Sequence, residues 1–155
     1  MKENTSPIPQ ADYDKMLSLM VRICLDFAVV KDGKVLLTER LIQPCKDKWH
    51  FPGGMVRKGQ TIKQTADRIL QAELGLKPHS LKFIDYIEYM NLENPDNDIA
   101  GHDIALFFKA TLEDGELKGS FQAKKMQYFA ISELPENTVP EVKEVLKKNW
   151  EILSK

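Results

Sequence analysis

Residues 54 to 76 read GMVRKGQTIKQTADRILQAELGL, a loop that runs into a helix with both ends marked. Thr61 and Gln64 stand at capping-box spacing, Gly75 is placed as a left-handed C-cap and Pro78 follows, which predicts a helix over Ile62–Leu74. At 100° per residue, Ile62, Ala66, Ile69 and Glu73 fall in one stripe with Leu70 beside it, the face expected to be buried. Glu73 interrupts that apolar row. A carboxylate there needs an arginine, backbone donors or a metal to offset its desolvation, or else it bends outward to solvent.

Upstream of the helix, Trp49-His50-Phe51-Pro52-Gly53-Gly54 closes a loop over 41–48 with two glycines that allow close backbone approach. His50, between two aromatics, reads as a packing residue. Val21 to Val30 is β-rich, and Asp32-Gly33 is a hairpin signal leading into Val35–Glu39, so these two strands are expected to pair. Before them, Tyr13, Met16, Leu17 and Met20 lie at the spacing of a short amphipathic helix.

Downstream, strands are expected at Leu81–Met90, Asp103–Leu112 and Gln127–Ile131, and a last helix capped by Thr138, with Pro140 in its first turn, runs towards Leu153. Between the first two of these strands, the polar stretch from Asn91 to His102 reads as an exposed loop. No repeat or polar linker divides the chain, which gives a tail and short helix over 1–20 and a single domain over 21–155.

Composition excludes several classes. With 22 Lys plus Arg against 23 Asp plus Glu, there is no net field to draw in nucleic acid or an anionic membrane, so any phosphate contact must be local. The start of the chain lacks the apolar stretch of a secretory signal, and no run approaches the ~18 apolar residues of a membrane span, so a cytoplasmic location is expected. Cys24 and Cys45 have no CxxC spacing and read as two reduced thiols. No surface stripe marks a pure interaction domain, and the composition leaves a homodimer open.

The stretch from Gly54 to Leu76 resembles the 23-residue Nudix box, G-x5-E-x7-R-E-(aliphatic)-x-E-E-x-G-(aliphatic). Gly54, Arg68, Leu70, Glu73, Gly75 and Leu76 match it, whereas Gln60, Ile69 and Ala72 stand where the pattern has glutamates. Phe51-Pro52-Gly53-Gly54 looks like the family's entry to the box, and the stretch from Tyr128 to Pro135 like its closing strand and turn. The resemblance implies the α/β (α+β) Nudix sandwich with a mixed central sheet. It also implies Mg²⁺ (or Mn²⁺), held by Glu73, the Gly53 carbonyl and substrate phosphates.

Within the family, the reduced box, Leu25-Asp26-Phe27 and the N-terminal helix are most similar to the GDP-mannose mannosyl hydrolase branch. By position, that resemblance gives Asp26 and Arg40 as substrate-binding residues, Gly53 and Glu73 as metal-binding and Arg68 as the box arginine of the catalytic set. Met55 replaces an arginine of the branch, Asp103 a tyrosine, and Ala123 aligns with its catalytic histidine. With Ala123 unable to move protons, the base must come from elsewhere. His102 is the first candidate on its ordinary pKa, followed by Glu93, Asp96 and Asp98.

Read independently, Asp26 lies on the strand face of Cys24 and Ala28 and is expected to line a cavity, or else to make a strand-end hydrogen bond. Arg40 offers a planar fork for phosphate, the alternative being a salt bridge with Glu39 or Asp47. Trp49, Phe51, Tyr86 and Tyr89 are able to stack a base or serve as core. The function that the resemblance implies is hydrolysis of a nucleoside diphosphate linked to another group, by attack on the diphosphate or on the sugar's anomeric carbon. The alternative is a catalytically weak sensor of a nucleotide or nucleotide sugar.

Overall fold

The computed structural model describes residues 8–43, 45–92, 101–119 and 123–155. Glu93, Asp96 and Asp98 lie outside them. The helix of the box, α2 (Ile62–Leu74), has the expected ends: the Thr61 and Gln64 side chains and backbones cap each other, and Gly75 closes it at φ 75°. Its buried row is Thr65, Ala66, Ile69, Leu70 and Leu74. Ile62, placed on that face by the wheel, is 36% exposed, because the row begins one turn later at Thr65.

Two four-stranded sheets form the body. The first runs β5-β1-β7-β6, with β1 (Arg22–Ala28) parallel to β7 (Gly101–Leu112), and β5 (Gly53–Met55) and β6 (Pro78–Leu92) antiparallel to their neighbours. In the second, β3 (Lys34–Arg40) pairs with β2 (Val30–Lys31), with β4 (Trp49–His50) and along its length with β8 (Ala123–Ala130). The mixed sheet and three helices make the α+β sandwich expected from the resemblance.

One expected pairing is corrected. The hairpin turn exists, with Asp32 at φ 50° and Gly33 at φ 70°, but the pairing across it ends after Val30–Lys31 and one bond from the Leu36 N–H to the Val29 carbonyl at 2.9 Å. Cys24 to Ala28 are buried in succession, so β1 is a central strand and takes β5 and β7 as its partners rather than β3.

The core lies on both sides of the β-layer. On one, Ala66, Ile69, Leu70 and Leu74 of α2 pack with Leu25, Phe27, Val29 and Leu36. On the other, Val142, Val145, Leu146 and Leu153 of α3 (Pro140–Leu153) pack with Ala28, Ile87 and Phe107. Each fully buried leucine here contributes about 1.5–3 kcal/mol. The cap of α3 is also corrected: Val139 occupies it, because its N–H bonds the Trp49 carbonyl at 3.0 Å and delays helix entry by one residue. The first helix, α1 (Gln10–Leu19), has no buried residue.

Candidate active site

A cavity of about 270 Å³ opens on the face of β1 that carries Cys24 and Asp26. Its lining comes from α1 (Tyr13), β1 (Arg22, Cys24, Asp26), the end of β3 (Arg40), β4 (His50), β5 (Gly53, Gly54, Met55), β6 (Tyr89) and β7 (Asp103). Asp26, Arg40 and Gly53, separate in sequence, are brought together here.

Asp26 pairs with Gly53 across β1 and β5. A Cβ on Gly53 would stand 2.1 Å from Asp26 Oδ1 and 2.6 Å from the Leu25 carbonyl oxygen, so glycine is required for the carboxylate to occupy its place. The Tyr89 hydroxyl donates to Asp26 Oδ2 at 2.6 Å. From the last turn of α2, Glu73 reaches the same residue, accepting the Gly53 N–H at 3.3 Å. Burial pushes both carboxyls up to about 7, against the Tyr89 bond at Asp26 and the Gly53 N–H at Glu73, and Asp26 adds to the rise at Glu73.

Arg40 lowers both carboxyls, and among the described residues its own guanidinium hydrogen-bonds only neutral partners: the Ile42 carbonyl at 3.3 Å, the Gln43 carbonyl at 3.5 Å and His50 Nε2 at 3.4 Å. Burial, reinforced by Arg40, pushes His50 down to about 3 and keeps it neutral. The alternative reading of Arg40, a salt bridge with Glu39 or Asp47, is not found among the described residues, and Glu39 faces Lys125 at 3.9 Å. His50, read from sequence as packing, lines the cavity because β4 sets it beside Arg40.

Arg68 does not line the cavity. It donates to the Met55 carbonyl at 2.7 Å and to Gln60 Oε1 at 3.0 Å, bracing the loop between β5 and α2 from the helix side. His102 is displaced from the expected site: Asp103 lines the cavity, and in the alternating strand β7 its neighbour His102 lies on the opposite face, with Nε2 buried and unpartnered among the described residues. Trp49 and Phe51 are core, Trp49 edge-on to Phe129 and Phe51 tilted against Phe107, while Tyr86 is exposed outside the cavity.

The far wall is a feature that sequence reasoning missed. Arg22 Nε and Nη2 donate to the two oxygens of Asp103, each at 2.6 Å, and Nη1 donates to the Tyr13 hydroxyl. Cys24 Sγ lies 3.7 Å from Asp103, and burial beside that carboxylate pushes its thiol up, so it stays neutral. The register Arg22↔Asp103 creates this pair, and a register between strands 81 residues apart has no local signal.

A family model described as NUDIX domain matches residues 25–148. The chain belongs to the Nudix family. An ADP-ribose pyrophosphatase of Methanocaldococcus jannaschii is 32% identical over 77% of this Nudix chain and 68% of its own length. The low-salt glycan biosynthesis protein Agl8 of Haloferax volcanii is 26% identical over 81% of both chains. A MutT Nudix hydrolase from Burkholderia pseudomallei superposes with a TM-score of 0.73 at 22% identity, covering 83% of this chain and 97% of that one. Among the described residues, no helix is long and apolar enough to cross a membrane.

The donor set of the Nudix helix suits a hard divalent ion only in part. Asp26, buried, and Glu73, half-buried, are two carboxylates that meet at Gly53, the oxygen chemistry that Mg²⁺ or Mn²⁺ takes. Among the described residues no group of three His, Cys, Asp or Glu is gathered for a metal.

Proposed function

We propose that this Nudix chain hydrolyses a nucleoside diphosphate linked to a second group, with Mg²⁺ or Mn²⁺ as cofactor. The observation that carries this reading is the meeting of two carboxylates, the buried Asp26 and the half-buried Glu73, at Gly53, with Arg40, bound to no carboxylate among the described residues, in the same cavity. The name of the M. jannaschii relative, an ADP-ribose pyrophosphatase, agrees with that substrate class, and the Agl8 relative is named for glycan biosynthesis.

In this reading Glu73 and the Gly53 carbonyl hold the ion, which when bound stabilises charge on the diphosphate. Arg40 binds the diphosphate oxygens, since its fork is not committed to a carboxylate. His50, neutral behind Arg40, steers the guanidinium without adding charge. Arg68 is a positioning residue that acts through Met55 and Gln60. With Oδ2 fixed by Tyr89, Asp26 turns Oδ1 towards Gly53 and takes a proton from the attacking water, a role that suits a carboxyl near 7. Asp26 thus replaces His102 as the base.

The test is a screen of dinucleotides and nucleotide sugars with Mg²⁺ or Mn²⁺, comparing wild type with Glu73→Gln. Turnover unaffected by Glu73→Gln overturns the metal assignment. Thermal stabilisation by nucleotides with no turnover of any substrate replaces hydrolysis with the sensor reading. Turnover in ¹⁸O water then locates the label on phosphate or sugar and identifies the atom attacked.

A further inference from the structure

The far wall of the cavity raises a question that the diphosphate end does not answer. Arg22 and Asp103 form a buried ion pair, with side chains 10% and 9% exposed, yet they line the cavity rather than the core. Removing two charges from water is costly, and the attraction between them does not by itself repay the cost. The cost is repaid only where further hydrogen bonds satisfy the remaining donors and lone pairs. This pair opens onto a cavity of about 270 Å³ shared with Asp26 and Arg40.

The hydrogen-bond inventory of the pair is incomplete. A guanidinium carries five N–H donors and a carboxylate about four lone-pair sites. Among the described residues Arg22 commits three donors, two to Asp103 and one to Tyr13, and Asp103 accepts from Arg22 twice and from Cys24 once. The pair therefore retains both donating and accepting capacity, and the Tyr13 hydroxyl adds to both. Its charges cancel.

We propose that Arg22, Asp103 and Tyr13 form a second subsite, which takes an uncharged, hydroxyl-bearing sugar at the far end of the diphosphate and refuses a further phosphate. A hydroxyl both donates and accepts, matching what the pair has to spare. A phosphate only accepts, and it meets the Asp103 carboxylate with no uncompensated cation, unlike the Arg40 end. The inference rests on the proposed function and narrows its substrate class to nucleotide sugars over nucleoside triphosphates. Asp103 is then the specificity residue and Tyr13 its support from α1.

The experiment measures binding and turnover of nucleoside diphosphates, nucleotide sugars and nucleoside triphosphates of matched base, for wild type, Asp103→Asn and Tyr13→Phe. Wild type is expected to bind a nucleotide sugar at least tenfold more tightly than the bare diphosphate. Asp103→Asn should remove that preference, while binding of the bare diphosphate stays within threefold and triphosphate binding is unchanged or improved. Tyr13→Phe, a change on a helix with no buried residue, should raise KM for the sugar substrate several-fold with kcat retained.

Equal loss for all three ligands in a folded Asp103→Asn overturns the subsite and leaves the proposed function standing, as does a wild type that binds sugar and bare diphosphate alike. If Asp103→Asn does not fold, Tyr13→Phe decides, and an unchanged sugar KM overturns the proposal. A wild type that binds no nucleoside diphosphate overturns the function reading and the subsite with it.

Discussion

Asp26 Oδ1 lies 2.1 Å from the point where a Cβ on Gly53 would stand, so the carboxylate fills the space that glycine leaves. Any side chain at 53 must push against both Asp26 and the Leu25 backbone. Gly53→Ala is expected to cost about 1–3 kcal/mol of stability, the usual range for overpacking. It should also lower kcat about 10²-fold, because a displacement near 1 Å at a reacting group has that effect. Denaturant unfolding and steady-state kinetics check both, and wild-type turnover in Gly53→Ala would show that the close approach is unimportant.

Glu73 makes a pH prediction with a definite sign. Its carboxyl shifts from the usual 4.5 to about 7 in the folded chain, mainly through burial. Between those values the folded chain holds a proton that the unfolded chain has released, so stability falls as pH rises and the full penalty is present above about 7. Without metal, Glu73→Gln should match wild type near pH 4.5 and exceed it in Tm by on the order of 5 °C at pH 8. Adding Mg²⁺ at pH 8 should raise the wild-type Tm and leave Glu73→Gln unmoved, as scanning fluorimetry would show.

Arg40 and His102 should respond in opposite ways. Among the described residues Arg40 holds only carbonyls and His50 at 3.3–3.5 Å, so Arg40→Ala is expected to change Tm little and to weaken nucleoside diphosphate binding by about 10–100-fold, the weight of charged hydrogen bonds. His102→Ala removes a ring on the far face of β7 and should leave kcat within about twofold. A large fall in kcat for His102→Ala, with Tm intact, would return the base to the position first expected from sequence.

The brace at Arg68 is testable by adding a charge. Gln60 accepts from Arg68 Nε at 3.0 Å, and a carboxylate in its place would make that bond charge-assisted. Gln60→Glu should stabilise the loop by about 0.5–1 kcal/mol with kcat little changed. Arg68→Ala should lower kcat and raise KM together, because the Met55 carbonyl loses its donor and the chain beside Gly53 is no longer fixed.

The bounds of the helix were legible because its end signals are local: Thr61, Gln64 and Gly75 act within a turn of where they stand. Asp26 was legible for a similar reason, since alternation along one strand sets the face it shares with Cys24. The pairing of β1 with β3 was misread because the Asp32-Gly33 turn reports only on the next few residues. The partners of β1 are chosen by burial on both faces. His102 failed by one residue, as strand β7 begins at Gly101 and extends what reads as loop, fixing the ring away from the cavity. Arg22, His50 and Asp103 were missed because each is defined by a partner distant in sequence or by the end of a two-residue strand.

The parallel register of β1 and β7 also has a kinetic consequence. Arg22 and Asp103 are 81 residues apart, and parallel pairing over that span must meet its loop-closure entropy before any contact repays it. The α2 helix and the 30–35 hairpin need no such closure and are expected to form early. The cavity has no far wall until β7 docks. A nascent chain would therefore carry a finished box helix well before it owned a pocket, and refolding followed by ligand binding should lag behind refolding followed by helix content.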